Sequence, residues 1–250
     1  RNISGIIGSA FNDILIGDAG NNYIYGGGGA DYIDGRAGDD ILEGGAGADI
    51  IIGGGGTDTA SYAGDDGGVN VSLAGDAVDG YNDTDTLSGI DNLIGSEYDD
   101  TLTGNIYANT LDGGAGDDTL EGGGADDMLI GGEGSDTVSY AGAGSRVVAT
   151  INSQSWGDTV GSDTLSGFEN IIGSDYDDYI TGDAQDNIIY GGAGNDILES
   201  IGGNNIFIGG LGNDSIMGNG QTDTVSFEDA ENGIIIDLRI NRQVQDTGEG

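Results

Sequence analysis

A chain of 250 residues with 45 acidic and 5 basic side chains carries a formal net charge of −40. It repels itself unless cations neutralise it, and such a surface argues against nucleic acid and anionic membranes as partners. The chain has no histidine, lysine or cysteine, which removes the usual general base, nucleophile activator, zinc ligands and disulfides, so no enzymatic activity is expected.

Glycine fills 54 positions and proline none, and the acids are mostly aspartate. Asp, Asn and Gly favour turns over helices, because their side chains bond nearby backbone or permit positive φ. The hydrophobic fraction of 36% is regularly spaced, unlike that of a disordered acidic tail. No apolar run approaches the ~20 residues of a membrane helix.

A nine-residue frame, G-G-x-G-x-D-x-U-x with U a large apolar residue, organises the chain. Ile3, Ile6 and Ile7 come first, in the phase of Ile90, Leu93 and Ile94 further on. Residues 8–61 hold six consecutive units, including GGGGADYID (26–34) and GGAGADIII (44–52). Residues 62–94 form a spacer in which the Gly and Asp signals fade. Residues 95–139 hold five more units, among them GGAGDDTLE (113–121). A second spacer, 140–172, aligns with the first without a gap, YAG on YAG and DTLSG on DTLSG. Residues 173–226 hold six units, including GGAGNDILE (191–199), and 227–250 repeat the start of a spacer. Position six is Asp thirteen times and Asn four times, and position eight is Ile, Leu, Val or Phe everywhere except Ala60.

Each unit offers a Gly/Asp turn and about three residues of strand, too few to bury anything alone. Two units make an 18-residue coil whose position-eight side chains face each other across a thin core, and successive coils pair as parallel strands about 4.8 Å apart. Glycines at positions one, two and four are expected to take positive φ. Carrying the frame through the spacers puts position eight on Val69, Val78 and Leu87, and on Val147, Trp156 and Leu165. The expectation is an all-β parallel β-roll or β-solenoid without significant helix. It runs as one continuous body over 1–250, with the spacers as coils poorer in ligands. Both ends cut through the pattern, so the chain reads as an excerpt of a longer array.

Stacking brings the position-six residue of one unit beside that of the next coil. Two carboxylates roughly 5 Å apart repel by up to about 3 kcal/mol at an effective dielectric of 20. A cation between coils removes that repulsion, and an oxygen-only ligand set suits calcium better than magnesium. The expected pairs are Asp13 with Asp31, Asp31 with Asp49, Asp40 with Asp58, Asp100 with Asp118, and Asp118 with Asp136. Asp178 with Asp196 and Asp196 with Asp214 complete the all-carboxylate set. Asn22 with Asp40, Asn109 with Asp127, and Asn205 with Asp223 keep one carboxylate each. Asn187 with Asn205 keeps none and is expected to be empty or weakest. Asp85 and Asp163 occupy the equivalent phase in the spacers and join the candidate ligands.

This motif resembles the RTX (repeats-in-toxin, haemolysin-type calcium-binding) nonapeptide repeat. The resemblance implies a parallel β-roll with multiple calcium ions in its turns, type I secretion, and disorder until the chain meets extracellular calcium. It implies a structural module of a secreted or cell-surface bacterial protein such as an adhesin, surface-layer protein or filament. The alternative is an accessory module of a secreted enzyme or toxin whose chemistry lies elsewhere. Self-association, other extracellular surface proteins and glycans are the partners considered besides calcium; direct membrane insertion is not expected.

Paired acids such as Asp39-Asp40 and Asp177-Asp178 recur in the blocks, as turn ligands do and a single active site does not. Tyr23, Tyr25, Tyr32, Tyr179 and Tyr190 sit at outward positions seven and nine and are read as strand-surface packing rather than a glycan platform. Trp156 is read as core. Position three never holds Thr, which sets ice binding aside.

Overall fold

The computed structural model describes residues 3–219, 222–227 and 243–244. Among these the chain is all β, with no helix and therefore none long and apolar enough to cross a membrane. Its parallel strands wind as a β-solenoid. The chain divides into two compact units, Arg1–Gly122 with Ile130–Gly134, and Gly123–Leu129 with Ser135–Gly250.

In the first unit, strand Tyr23–Gly28 pairs in parallel with Ile41–Ala46, Tyr23 against Ile41, and Tyr32–Ala37 pairs likewise with Ile50–Gly55. The step is 18 residues, so one coil is two nonapeptides. Position-seven amides continue the ladder by donating to the position-six carbonyl one coil earlier, as in Tyr32 to Asp13 and Ile41 to Asn22. Odd units build one face and even units the other. Ile24, Leu42, Leu93 and Leu111 are fully buried under one face, Ile33 and Ile51 under the other. In the second unit Ile189 and Phe207 stack in one column, Ile180 and Leu198 in another, all fully buried. Each such side chain contributes about 1.5–3 kcal/mol relative to exposure, the main return on three-residue strands that cannot stand alone.

Apart from Gly20, glycine at positions two and four takes positive φ as expected, for example Gly27 at 104° and Gly29 at 102°. Position one does not. Gly26 stays outside that region, and its reason is space: a Cβ there would collide with the Asp31 carboxylate and the Gly44 carbonyl. Two non-glycine residues sit in the positive-φ pattern, Arg36 at 76° and Ala125 at 71°.

The spacers depart from the expected nonapeptide coils. In the first, Asn70–Ser72 and Ala77–Val78 form an antiparallel hairpin, and Ala77–Val78 pairs antiparallel again with Thr84–Ser88. Thr84–Ser88 then stacks in parallel on Ile50–Gly55, with Leu87 against Ile51, while Asn70–Ser72 stacks on Thr101–Asn105. On the opposite face Asn92–Ile94 sits directly between Thr59–Ser61 and Thr110–Ala115. One face therefore carries two strands that the other lacks. In the second spacer, Val147–Thr150 and Ser155–Gly157 form the same hairpin, with Val148 opposite Trp156 and Ala149 opposite Ser155.

The hairpin reverses chain direction and shifts the phase of what points inward. Ala77 and Asp79 are buried and Val78 is partly exposed; Ser155 and Gly157 are buried and Trp156 is 56% exposed. Trp156 is thus a surface residue rather than core. Val69, Val147 and Leu165 are buried as the frame requires.

Positive φ costs a residue with a Cβ about 1–2 kcal/mol, against the extra unfolded-state entropy of glycine. Ala125→Gly is therefore expected to stabilise the folded protein by about 0.5–1 kcal/mol in calcium denaturation curves. Ala46→Gly, at a turn position of ordinary φ, is expected to lose a similar amount.

Candidate metal centres in the turns

The position-six side chains meet as the sequence requires, through an unforeseen bond. The backbone N–H of one position-six residue donates to the side-chain oxygen of the residue one coil further on. Along one edge of the first unit this links Asp13 to Asp31 at 2.8 Å, Asp31 to Asp49 at 2.7 Å and Asp49 to Asp85 at 2.9 Å. Along the other it links Asn22 to Asp40, Asp40 to Asp58, and Asp58 to the Asp91 carboxylate. Asp100 donates to Asp118 and accepts from Val69. In the second unit the same bond joins Asp127 to Asp163, Asp136 to Glu169, and Val147 to Asp178. It continues from Asp178 to Asp196, Asp196 to Asp214, Asn187 to Asn205, and Asn205 to Asp223. Asn109 sends its amide to the Asp91 carbonyl. The expected pairs Asn109 with Asp127 and Asp118 with Asp136 draw one residue from each unit.

Asp85 and Asp163 thus take the position-six role. Asp91 and Glu169 receive the bonds of Asp58 and Asp136 and are not among the expected ligands. Their signal was in the sequence: they align with each other in SGIDNLIGS and SGFENIIGS.

The second carboxylate oxygen divides the turns into two classes. In the first two units of every block, position two is Ser, Asp or Asn without positive φ, and its N–H donates to the position-six side chain. Ser9 bonds Asp13 at 2.6 Å, Asp18 bonds Asn22 at 2.8 Å, Ser96 bonds Asp100 at 2.5 Å, and Asn105 bonds Asn109 at 2.8 Å. Ser174 bonds Asp178 at 2.5 Å and Asp183 bonds Asn187 at 2.9 Å. These turns cap themselves. Where position two has positive φ, the bond is missing: Oδ2 of Asp31, Asp40, Asp49, Asp58, Asp196 and Asp214 is buried without a hydrogen-bond partner.

A buried carboxylate oxygen without a donor is costly. Its neighbours here are the position-one glycine and carbonyls of the adjacent coil, which form a cradle that a Cβ would fill. The donor set is all oxygen, so the site fits a hard divalent cation. No group of three or more acidic side chains gathers at metal-holding distance among the described residues. A cation held here would draw on the position-six carboxylates together with main-chain carbonyls of the adjacent coil. Asn187 and Asn205 offer no such oxygen, since Asn187 Nδ2 donates to the Glu169 carbonyl and Asn205 Nδ2 to the Gly202 carbonyl, while both Oδ1 atoms accept backbone N–H groups.

Electrostatics point the same way. Burial raises Asp49 and Asp85 to about 7 and Asp196 to about 8, opposed by the backbone N–H each accepts and reinforced by neighbouring carboxylates. Asp31, Asp40, Asp58 and Asp214 shift upwards for the same first reason. On the strand surface the Tyr23 hydroxyl donates to Glu43 and that of Tyr179 to Glu199, so these rings are engaged with neighbouring strands.

A carboxyl whose folded pKa lies above its unfolded value stabilises the fold only while protonated. That contribution is complete below about pH 4, the unfolded value. It is lost as pH rises through the values near 7 to 8 given by Asp49, Asp85 and Asp196. In chelator, acidification from about pH 8 to pH 5 is therefore expected to increase β content by far-UV circular dichroism; a decrease would contradict these sites. The two turn classes also separate by mutation. Asp178→Ala strips the acceptor from Ser174 and Val147 and is expected to cost about 2 kcal/mol whatever the calcium level. Asp196→Asn keeps the bond to Asp178 and is expected to weaken only calcium-dependent stability.

Against known proteins, the RTX calcium-binding nonapeptide repeat matches residues 7–42, 33–60, 85–106, 103–138, 163–198 and 201–229. No curated protein shows significant similarity to the chain. The matches span both units and more than half of the residues, and they include the turns whose carboxylates are bare. The chain belongs to the RTX calcium-binding nonapeptide repeat family.

Proposed function

We propose that this chain is a calcium-dependent structural module of a secreted or cell-surface bacterial protein, which folds and stiffens on meeting extracellular calcium. The observation that carries this reading is the series of buried, donor-less Oδ2 atoms in the turns whose position two has positive φ. Once ionised, each asks for a cation, and a cell interior poor in free calcium would leave the ionised coils mutually repelled. Metal binding and folding are then one equilibrium. Support for a scaffolding rather than a catalytic role comes from the missing histidine, lysine and cysteine. It comes also from recurrence: the same ligand arrangement in many turns serves length and stiffness.

Far-UV circular dichroism of the chain in calcium and in excess chelator at pH 7.5 tests the reading. Strong β signal is expected only with calcium, and equal spectra in both would overturn it. Asp196→Asn should raise the calcium concentration at half-folding roughly three- to tenfold, the equivalent of about 1 kcal/mol.

A further inference from the structure

The first spacer buries carboxylates that no nonapeptide turn carries. Asp65, Asp79 and Asp85 are 5%, 2% and 5% exposed. Oδ2 of Asp79 has no hydrogen-bond partner, and the Asp85 carboxylate has only the Asp49 N–H and the Tyr62 hydroxyl. The hairpin brings the three together. Asp85 stands opposite Ala77, two residues from Asp79, and the Gly80 N–H holds Asp65 Oδ2 at 2.8 Å. Asp49 joins from the neighbouring coil through its N–H to Asp85 Oδ1. The buried Tyr62 phenol lies among them: burial first, then the fields of Asp85 and Asp65, its hydrogen bond to Asp85 and the field of Asp79 push its ionisation well above the usual range.

The second spacer has the same backbone and a different solution. The two align without a gap, and Ala149 opposite Ser155 repeats Val71 opposite Ala77. Tyr140 and Asp163 stand where Tyr62 and Asp85 do, but Ala143, Ser155 and Gly157 replace Asp65, Ala77 and Asp79. Ser155 Oγ donates to Asp163 Oδ2 at 2.9 Å, and Tyr140 Oη lies 3.1 Å from the same oxygen. Neutral hydroxyls satisfy the buried carboxylate there. In the first spacer Ala77 takes the place of that serine, so the Tyr62 hydroxyl is the only one on Asp85, and two further buried carboxylates crowd the same pocket. Adding like charge to an unsatisfied buried anion is destabilising unless a cation joins it.

We propose that Asp65, Asp79 and Asp85 form a buried calcium site beneath the hairpin of the first spacer, with Oδ2 of Asp79 and of Asp85 as its first ligands, and that the second spacer has no such site. The inference rests on the calcium-binding reading of the chain but uses none of the Gly-Gly turns. An oxygen-only set of carboxylates suits calcium. No three acidic side chains stand at metal-holding distance among the described residues, so the ion is expected to draw Asp65 inwards.

The test counts bound calcium by equilibrium dialysis of the whole chain at saturating calcium. One variant combines Asp65→Ala, Ala77→Ser and Asp79→Gly, which gives the first spacer the residues the second already accommodates. A second, Asp65→Asn with Asp79→Asn, preserves shape. Both are expected to bind one ion fewer than the wild type with an unchanged far-UV spectrum in calcium. An unchanged count in either folded variant overturns the site. If the wild type binds no calcium at all, the reading of the chain fails instead; if it binds several and the variants bind as many, only this site fails.

Discussion

A main-chain amide reaching eighteen residues along the chain to a buried carboxylate is the constraint from which the other features of this fold derive. It requires an acceptor at position six of nearly every unit, a place that Asp or Asn fills throughout the repeat blocks. It places that side chain inside, at 0–4% exposure in most repeat units, although charged groups are rarely buried without a partner. One oxygen takes the amide. The other must be capped by the turn itself or left to a cation. Whether position two takes positive φ decides between these outcomes, so a backbone choice made by one glycine sets the electrostatics of the coil.

The position-one glycine follows from the same bond. The carboxylate that reaches the neighbouring coil passes over Gly26, Gly44 or Gly191 closely enough to leave no room for a Cβ. Glycine therefore plays two separate parts within one nonapeptide, conformational at positions two and four and steric at position one. The tolerance of Arg36 and Ala125 at position two and position four shows that the conformational part is the softer of the two.

Much of this was legible from the sequence because it is periodic. The 18-residue register, the buried column at position eight and the pairing of Asp13, Asp31 and Asp49 all follow from counting. What counting missed has a local physical cause. The phase of Val78 and Trp156 could not be read from the nonapeptide frame because the chain reverses direction at the hairpin, and an antiparallel return exchanges inward for outward positions. Asp91 and Glu169 stand in the last six residues of each spacer, 89–94 and 167–172, where the nine-residue frame runs out, yet they end in the same place as a repeat acid. The division of the turns into capped and bare was visible as Ser, Asp or Asn at position two, but its meaning depends on which way an amide points, and composition does not record that.

The hairpins have one more consequence, for uniqueness. A stack of near-identical coils is degenerate: sliding the chain by 18 residues restores almost every strand pair and every Asp-to-amide bond, so the correct register has little advantage over a slipped one. The spacers lift that degeneracy. On crossing them the pairing step changes from 18 residues to 36 for Thr86 against Ile50, and to 33 for Asn92 against Thr59. A slipped stack would have to place a hairpin where a three-residue strand belongs. Irregularity inserted between regular blocks thus acts as an index mark, fixing which coil is which along a repetitive chain.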